Sequence, residues 1–436
     1  MSGLRREFGP MLKLAMPLAL AELGWVAMGI VDTIMAGRLG AGATGASSLG
    51  NMLFYPVATL GTGLLLGMDT LVAQAFGAEN QEETRHSLVS GVWVALFASP
   101  ILGAVIWSLP PLLRIAGTNP HVMELLVPFL KALIAGIAPL LLFTAFRRYA
   151  QAVDIVRPVT FALVTANIVN FVGDWLLMPV FGVTGLGWST SIARAYMAAV
   201  LLAAIIWKER RTGGLLFRIS WRADVARIRK LIALGLPAAG QFALEGAVFG
   251  VVAVLAARLD EASLAAHSIA VLVISTTYMV PLGVSSAAAV RVGQAIGRKD
   301  RIGAAASGWA ALLASVLFMG AAGVAFWLLP RAIIRIFIND SAVIATGAVL
   351  LRIAALFELF DGVQVVATGA LRGIGDTRTP MFAHFTGYWI IGLPVAYYLC
   401  FPLGWGAAGI WVGLCAALVP IGAVLVWVWA ATSKTK

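Results

Sequence analysis

From Thr379 to Ser433 the chain runs for 55 consecutive residues without an Asp, Glu, Lys or Arg. A membrane-crossing helix needs only ~20 apolar residues, so this stretch holds two, turning near Pro402-Leu-Gly-Trp-Gly406. Apolar blocks of helix length separated by short polar turns continue along the rest of the chain. They predict twelve helices, at 12–37, 45–69, 87–110, 127–147, 158–180, 184–207, 230–256, 264–290, 304–329, 348–371, 379–401 and 406–431. Barrel strands are short and alternate apolar with polar positions; these blocks are long and continuously apolar, so the backbone satisfies itself as helices. The first block carries Glu22 and Asp32 and lacks a small-residue cleavage site, so it is expected to stay in place rather than be removed as a signal peptide.

Composition agrees. Of 436 residues, 61% are hydrophobic and 12% charged, where soluble proteins carry roughly 25% charged residues. This is an all-α integral membrane protein. The net charge of +11 matters through its distribution. With the N-terminus inside, cytoplasmic segments hold 23 of the 31 Lys and Arg, eight of them between Lys208 and Lys230, and both termini fall in the cytoplasm by the positive-inside rule. The basic residues are scattered over short loops without interleaved aromatics, so nucleic acid is not an expected partner. Cys400 and Cys415 lie in spans and read as small hydrophobes. The chain has no H-E-x-x-H, G-x-S-x-G or phosphate-loop motif, so neither an enzyme nor an ATP-driven pump is expected; energy would come from an ion gradient.

The chain is internally duplicated. A shift of 220 residues superposes Pro17 on Pro237, Arg38-Leu39 on Arg258-Leu259, Gly63 on Gly283, Gln74 on Gln294 and Gly77 on Gly297. A shift of 222 pairs Asp154 with Asp376, Pro158 with Pro380, Gly182 with Gly404 and Gly187 with Gly409. Each half then has six helices. An even number returns the chain to the same side, so two six-helix bundles are expected, related by a pseudo-twofold along the membrane normal. The expected division is an N-lobe at 1–207, a cytoplasmic linker at 208–230 and a C-lobe at 231–436.

The intramembrane acids do not obey this repeat. Glu245 pairs with Trp25, Asp361 with Pro139, Asp32 with Val252 and Asp174 with Ala396. A charge at the bilayer centre costs ~2.5–3.5 kcal/mol on insertion scales and usually marks a function. Desolvation disfavours a bare carboxylate, so such a group holds a proton or a cation. Glu245 and Asp361 are the leading candidates, with the neutral hydrogen-bonded acid as the plain alternative. Asp32 and Asp174 are their counterparts in the first half. Asn170 shares a helix face with Asp174, and with a hydroxyl such as Thr190 the set can coordinate a cation or relay a proton; the alternative is a network that only packs the bundle. Glu358 shares a face with Asp361 and is either its partner or an outer-rim charge. Trp25 is a candidate cavity aromatic for flat cations. Glu22 and Arg194 have no assigned role beyond pairing within the bundle. His267 and His384 stand alone, without metal-ligand spacing, and read as hydrogen-bonding span residues. Asp154 and Asp376 read as turn residues before Pro158 and Pro380.

The stretches "VDTIMAGRLG", "VAQAFGA", "LEGAVFGVVAVLAARL", "AAHSIA", "PLGVSSAAAVRVGQAIG" and "FDGVQVVATGALRGIGDTRTP" resemble the multidrug and toxic compound extrusion (MATE) transporters, specifically the NorM branch, over essentially all twelve helices. The resemblance implies a two-lobe antiporter in a bacterial inner membrane, exporting cationic amphipathic organic molecules against Na⁺ or H⁺, with no other cofactor. By position, Glu245 and Asp361 resemble the C-lobe ion-site acids (Na⁺ ligands, if Na⁺ couples), and Asp32 resembles the N-lobe acid of the first helix. Asn170, Asp174 and Thr190 resemble the N-lobe polar cluster of the related DinF branch. Asp174 stands where some NorM relatives carry Asn, so this chain has acids in both lobes; which lobe couples stays open. A substrate cavity would then be lined by Asp361, Glu245, Asp32, Trp25 and Glu358, in a monomer. The competing expectations are a flippase for a lipid-linked precursor, whose cavity would be cationic, and a passive channel.

Overall fold

The computed structural model describes residues 2–115, 117–211 and 219–435; positions 212–218 of the expected linker lie outside the described residues. In chain order the helices are α1 (Ser2–Arg38), α2 (Ala41–Leu64), α3 (Gly67–Gly77), α4 (Gln81–Trp107), α5 (Leu109–Ile115), α6 (Pro120–Ala135), α7 (Ile137–Ala152), α8 (Arg157–Phe181) and α9 (Val183–Arg211). The second half holds α10 (Val225–Ala256), α11 (Glu261–Gly297), α12 (Arg301–Leu328), α13 (Pro330–Arg335), α14 (Ser341–Ile374), α15 (Arg378–His384), a π-helical segment (Phe385–Gly392), α16 (Leu393–Cys400) and α17 (Gly406–Thr435). Among the described residues, eleven helical stretches are long and apolar enough to cross a membrane. The remaining predicted span, 379–401, is helical from Arg378 to Cys400, with the π turns at its centre. Twelve spans result, as the hydropathy pattern predicts.

Local chemistry sets the boundaries. Asn80, Asp260, Asp300 and Asp340 accept backbone N–H bonds from the first turns of α4, α11, α12 and α14, and Gly375, at φ 91°, ends α14 in the left-handed conformation. Asp376 Oδ1 accepts from Thr379 N at 3.0 Å, the turn role its spacing predicts. One predicted span breaks at Gly136, between α6 and α7. A side chain there would meet Ser191 Oγ at 2.4 Å. The Gly136 amide bonds Leu133 O, so the Ala132 carbonyl accepts instead from Ser191 Oγ, at 2.6 Å. A neighbouring hydroxyl thus repairs the break, as lipid-embedded backbone requires.

Duplication is visible in backbone as well as residue type. Gly182 and Gly404 have φ of 57° and 69°, and Glu79 and Lys299, matched by the 220-residue shift, have φ of 57° and 60°. Asn167 Nδ2 donates to Gly24 O at 3.0 Å, and its repeat mate Trp389 Nε1 donates to Leu244 O, the mate of Gly24, at 3.2 Å. Two close helix contacts are exchanged the same way. A methyl on Gly63 would sit 2.5 Å from Ala239 Cα, and one on Gly283 would sit 2.6 Å from Ala19 Cα.

By contacts the chain forms two compact units, 20–239 and 1–19 with 240–436. These differ from the lobes counted along the chain in where the ends of α1 and α10 belong. Ala19 packs on Gly283 of α11 and Ala239 on Gly63 of α2, so each helix gives its first part to the unit of the other half. Glu7 reinforces this in the second unit by accepting from Arg291 of α11 and from Ser307 of α12.

Candidate functional site

In the 20–239 unit the sequence-predicted residues converge. Asn170 and Asp174, one turn apart on α8, are fully buried, and Thr190 of α9 is nearly so. The Thr190 hydroxyl lies 3.1 Å from Asp32 Oδ2 on α1 and 2.9 Å from Leu186 O. Asn170 Nδ2 donates to Ser189 Oγ at 3.2 Å, and Ser189 Oγ donates to Asn170 O at 2.6 Å. The Asp32 carboxyl faces Asp174, with Arg194 also within electrostatic reach. Four oxygens here are buried without a hydrogen-bond partner: Asp32 Oδ1, Asn170 Oδ1 and both of Asp174. Two facing carboxylates repel, so a proton or an oxygen-seeking cation between them relieves both the repulsion and the missing bonds.

Arg194 and Glu22 do not meet. The Arg194 guanidinium, 1% exposed, lies 4.6 Å over the Phe54 ring and faces Tyr55 and Asp32. Glu22 accepts from Arg147 of α7. Trp25 stacks parallel on Phe143, with ring centres 6.4 Å apart. Elsewhere in this unit, Arg85 donates to Glu209 at 2.8 Å, which Tyr149 also approaches at 3.4 Å, and Arg148 approaches Asp69 at 3.4 Å. These pairs join residues far apart in sequence, which no local spacing signals.

The second unit gathers Glu245 of α10 with Glu358 and Asp361 of α14. Glu358 is fully buried and accepts from Thr277 Oγ1 of α11 at 3.0 Å, so it is not a solvated charge. Asp361, 5% exposed, accepts from Gln364 Nε2 at 3.0 Å. Glu245 and Glu358 each keep one buried oxygen without a partner, as does the Tyr388 hydroxyl, which faces Glu245 and Asp361. None of the three carboxyls forms an ion pair among the described residues. Among the described residues, no three His, Cys, Asp or Glu side chains stand close enough together to hold a metal ion between them. The π turns matter here. From them the Tyr388 hydroxyl faces Glu245 and Asp361, and the Trp389 indole donates to Leu244 O at 3.2 Å.

Sequence reasoning misses Gln364, Tyr388, Thr277 and Ser189, and gives His384 only as an isolated span histidine. Gln364 was legible, three residues after Asp361 on one helix face. His384 sits between the amides of Gln364, at 2.7 Å, and Gln241, at 3.3 Å, so it joins the site from a third helix. His267 accepts from Trp411 Nε1 at 3.2 Å, in the role its isolation predicts.

Comparison with known proteins gives one family. The MatE family model matches residues 17–176 and again 237–398, two segments that begin 220 residues apart. A probable multidrug resistance protein NorM of Mesorhizobium japonicum is 33% identical, with 98% of this chain and 94% of that protein covered. One of the same name from Bradyrhizobium diazoefficiens is 36% identical, covering 93% and 90%. Among solved structures, an outward-facing multidrug resistance MATE family transporter superposes with a TM-score of 0.88 at 17% identity, covering 98% of this chain and 95% of its own. A eukaryotic MATE transporter gives 0.86 at 18%, covering 99% and 98%.

Proposed function

The chain belongs to the MatE family of membrane transporters, and from that premise we propose that it is a secondary antiporter exporting cationic amphipathic organic molecules in exchange for Na⁺ or H⁺. The observation that carries this reading is the set of three neighbouring carboxyls, Glu358 and Asp361 buried and Glu245 with one oxygen buried, which form no ion pair among the described residues. Burying such charges is costly unless they are neutralised, and the only species that can do so reversibly are protons and cations. A metal ion or proton and an organic cation then compete for one set of oxygens. That competition makes binding of one lower the affinity for the other, which is the coupling an exchanger needs.

The two carboxyl groups divide the work. Glu245 and Asp361 hold the coupling ion, Na⁺ or H⁺, and exchange it for the organic cation, with Glu358 lining the same pocket of charge. Asp32, Asn170, Asp174 and Thr190 form a second ion site, whose four unpartnered oxygens suit a hard cation or a shared proton. Trp25, stacked on Phe143, contributes aromatic surface on the substrate path. The protein works as a monomer in a bacterial inner membrane with both termini cytoplasmic; the concentration of Lys and Arg in the cytoplasmic segments supports this orientation.

The test is efflux. Asp361→Asn keeps the shape and removes the charge, and in drug-susceptible cells it abolishes ethidium export at unchanged expression; normal export by that variant overturns the assignment. Proteoliposomes given first a pH gradient and then a Na⁺ gradient identify the ion. Ion current without counter-transport would mark a channel instead.

A further inference from the structure

Between α4 and α6, within the 20–239 unit, lies a groove of about 670 Å³, inside the roughly 300–1,000 Å³ range of small-molecule sites. None of the buried acids lines it. α4 forms one wall from Leu96 to Trp107, and Ile134 of α6 and Ala138 of α7 stand across from it, on either side of the break at Gly136. Gly103 and Ala104 leave the space open, and the Ser99 hydroxyl turns back to Ala95 O at 2.6 Å. The walls are therefore apolar.

Length and charge say what lies there. Leu96 and Trp107 are eleven residues apart, about 16 Å at the helical rise, and half of a hydrocarbon core is ~15 Å. The groove runs the depth of one leaflet. Trp107 is the last residue of α4 and 45% exposed, at the interfacial level where indoles anchor spans. Beside it stands Lys131 of α6, exposed, its Nζ 5.1 Å from the centre of the Trp107 ring. No carboxylate pairs with Lys131 among the described residues. Glu124, two turns earlier on α6, approaches His121 instead, at 3.7 Å. An ammonium at the edge of the hydrocarbon thus lacks an anion from the protein, and its charge repels the organic cations proposed as cargo.

We propose that this groove binds one anionic phospholipid, an acyl chain lying along α4 and α6 and the phosphate resting on Lys131 beside Trp107. The phosphate supplies the missing counter-charge, and the chain covers the apolar walls. A zwitterionic lipid has the same chain but carries its own cation next to the phosphate, so charge decides between the two. Because Ile134 and Ala138 flank Gly136, the bound chain also braces the place where the backbone ladder of that span is interrupted.

Native mass spectrometry of the whole protein in nonionic detergent, offered equal amounts of phosphatidylglycerol and phosphatidylcholine with identical chains, reads the site. Phosphatidylglycerol should be retained with a preference of about fivefold, equivalent to the ~1 kcal/mol of one basic residue at an anionic surface. Lys131→Gln should remove that preference and Lys131→Arg should keep it. Ala104→Phe, which fills the groove, should release the retained lipid of either kind. Both positions are exposed, so the melting temperature in detergent alone should not change; if Ala104→Phe does lower it, the two Lys131 variants decide. Equal retention of the two lipids by the natural protein overturns the proposal, as does a preference that survives Lys131→Gln or a retained lipid that survives Ala104→Phe. A dimer that retains no lipid and that Ala104→Phe dissociates would show a second copy of the chain over the groove, and overturns it as well.

Discussion

The two units bury their carboxyls in different company. In the 20–239 unit, Asp32, which faces Asp174, has the Arg194 guanidinium within electrostatic reach, so part of the pair's charge is offset by the protein itself through Asp32. In the other unit, the neighbours of Glu245, Glu358 and Asp361 among the described residues are neutral: Thr277 and Gln364 donate to Glu358 and Asp361, and the Tyr388 hydroxyl faces Glu245 and Asp361. Yet the helices beneath are copies, sharing turn conformations, an interhelical hydrogen bond and a pair of exchanged glycine contacts. Packing and backbone bonding constrain a copied scaffold to stay alike. A charged side chain that a ligand neutralises is under no such constraint, and there the halves have parted. The π turns mark the same divergence, since α8, the repeat mate of that span, is a regular helix.

The largest expected effect contrasts the two acid groups. Glu245→Gln should reduce ethidium export to the background of cells lacking the protein, because ligand alone compensates that site. Asp174→Asn should leave a measurable fraction of export with a changed dependence on Na⁺ or pH. Equal losses would erase the distinction drawn from Arg194.

Next in size is the buried Glu22–Arg147 pair, which has no counterpart at the repeat-related positions, Phe242 and Gly369. Glu22→Gln leaves an uncompensated buried guanidinium, and ~3–5 kcal/mol of stability should be lost, read as a lower melting temperature in detergent. Removing both charges together should recover much of that. A double variant as unstable as the single one would mean the pair matters through shape rather than charge.

Gly63→Val and Gly283→Val probe the shared scaffold. Each drives a side chain into helix backbone, and overpacking of this kind costs ~1–3 kcal/mol. The two should cost alike; a difference larger than that range would show that the copied contacts no longer carry equal weight.

The smallest effect concerns the turns. Asp260 accepts from Ser263 N at 2.9 Å and Ser263 Oγ at 2.7 Å, whereas its repeat mate Gly40 has no capping side chain. The Ser263 side-chain and backbone hydrogen bonds hold the Asp260 carboxyl below its ordinary value. Its stabilisation is therefore present above about pH 4, the unfolded value, and is lost as pH falls through the folded one. The melting temperature of the natural protein should show this small acid-side decline and Asp260→Ala should not, with no matching change for Gly40→Ser.

Much of the site was legible because the reading rested on a rule that needs no fold: a carboxyl in an apolar block is out of place. That rule found Asp32, Asp174, Glu245, Glu358 and Asp361, all of which the structure shuts wholly or partly from solvent. It could not find His384 or Tyr388, because a histidine or tyrosine is unremarkable in a membrane span until its partners are known. Nor could it pair Glu22 with Arg147, 125 residues apart, or place Trp25 on Phe143. The lobe boundaries were drawn by counting helices along the chain. The contacts divide instead at 19/20 and 239/240, within helices whose hydropathy shows no break.

By itself the sequence determined the number and kind of spans, the duplication and the identity of the buried acids. These follow from one-dimensional quantities: the length of apolar runs, the spacing of repeated residues and the place of charges within them. Only the tertiary structure decided which half each end of α1 and α10 packs with, which acids have a cation beside them, and that Gln364 stands between Asp361 and His384. Such facts depend on side chains from helices distant in sequence meeting within hydrogen-bond range, and spacing along one chain carries no record of those distances.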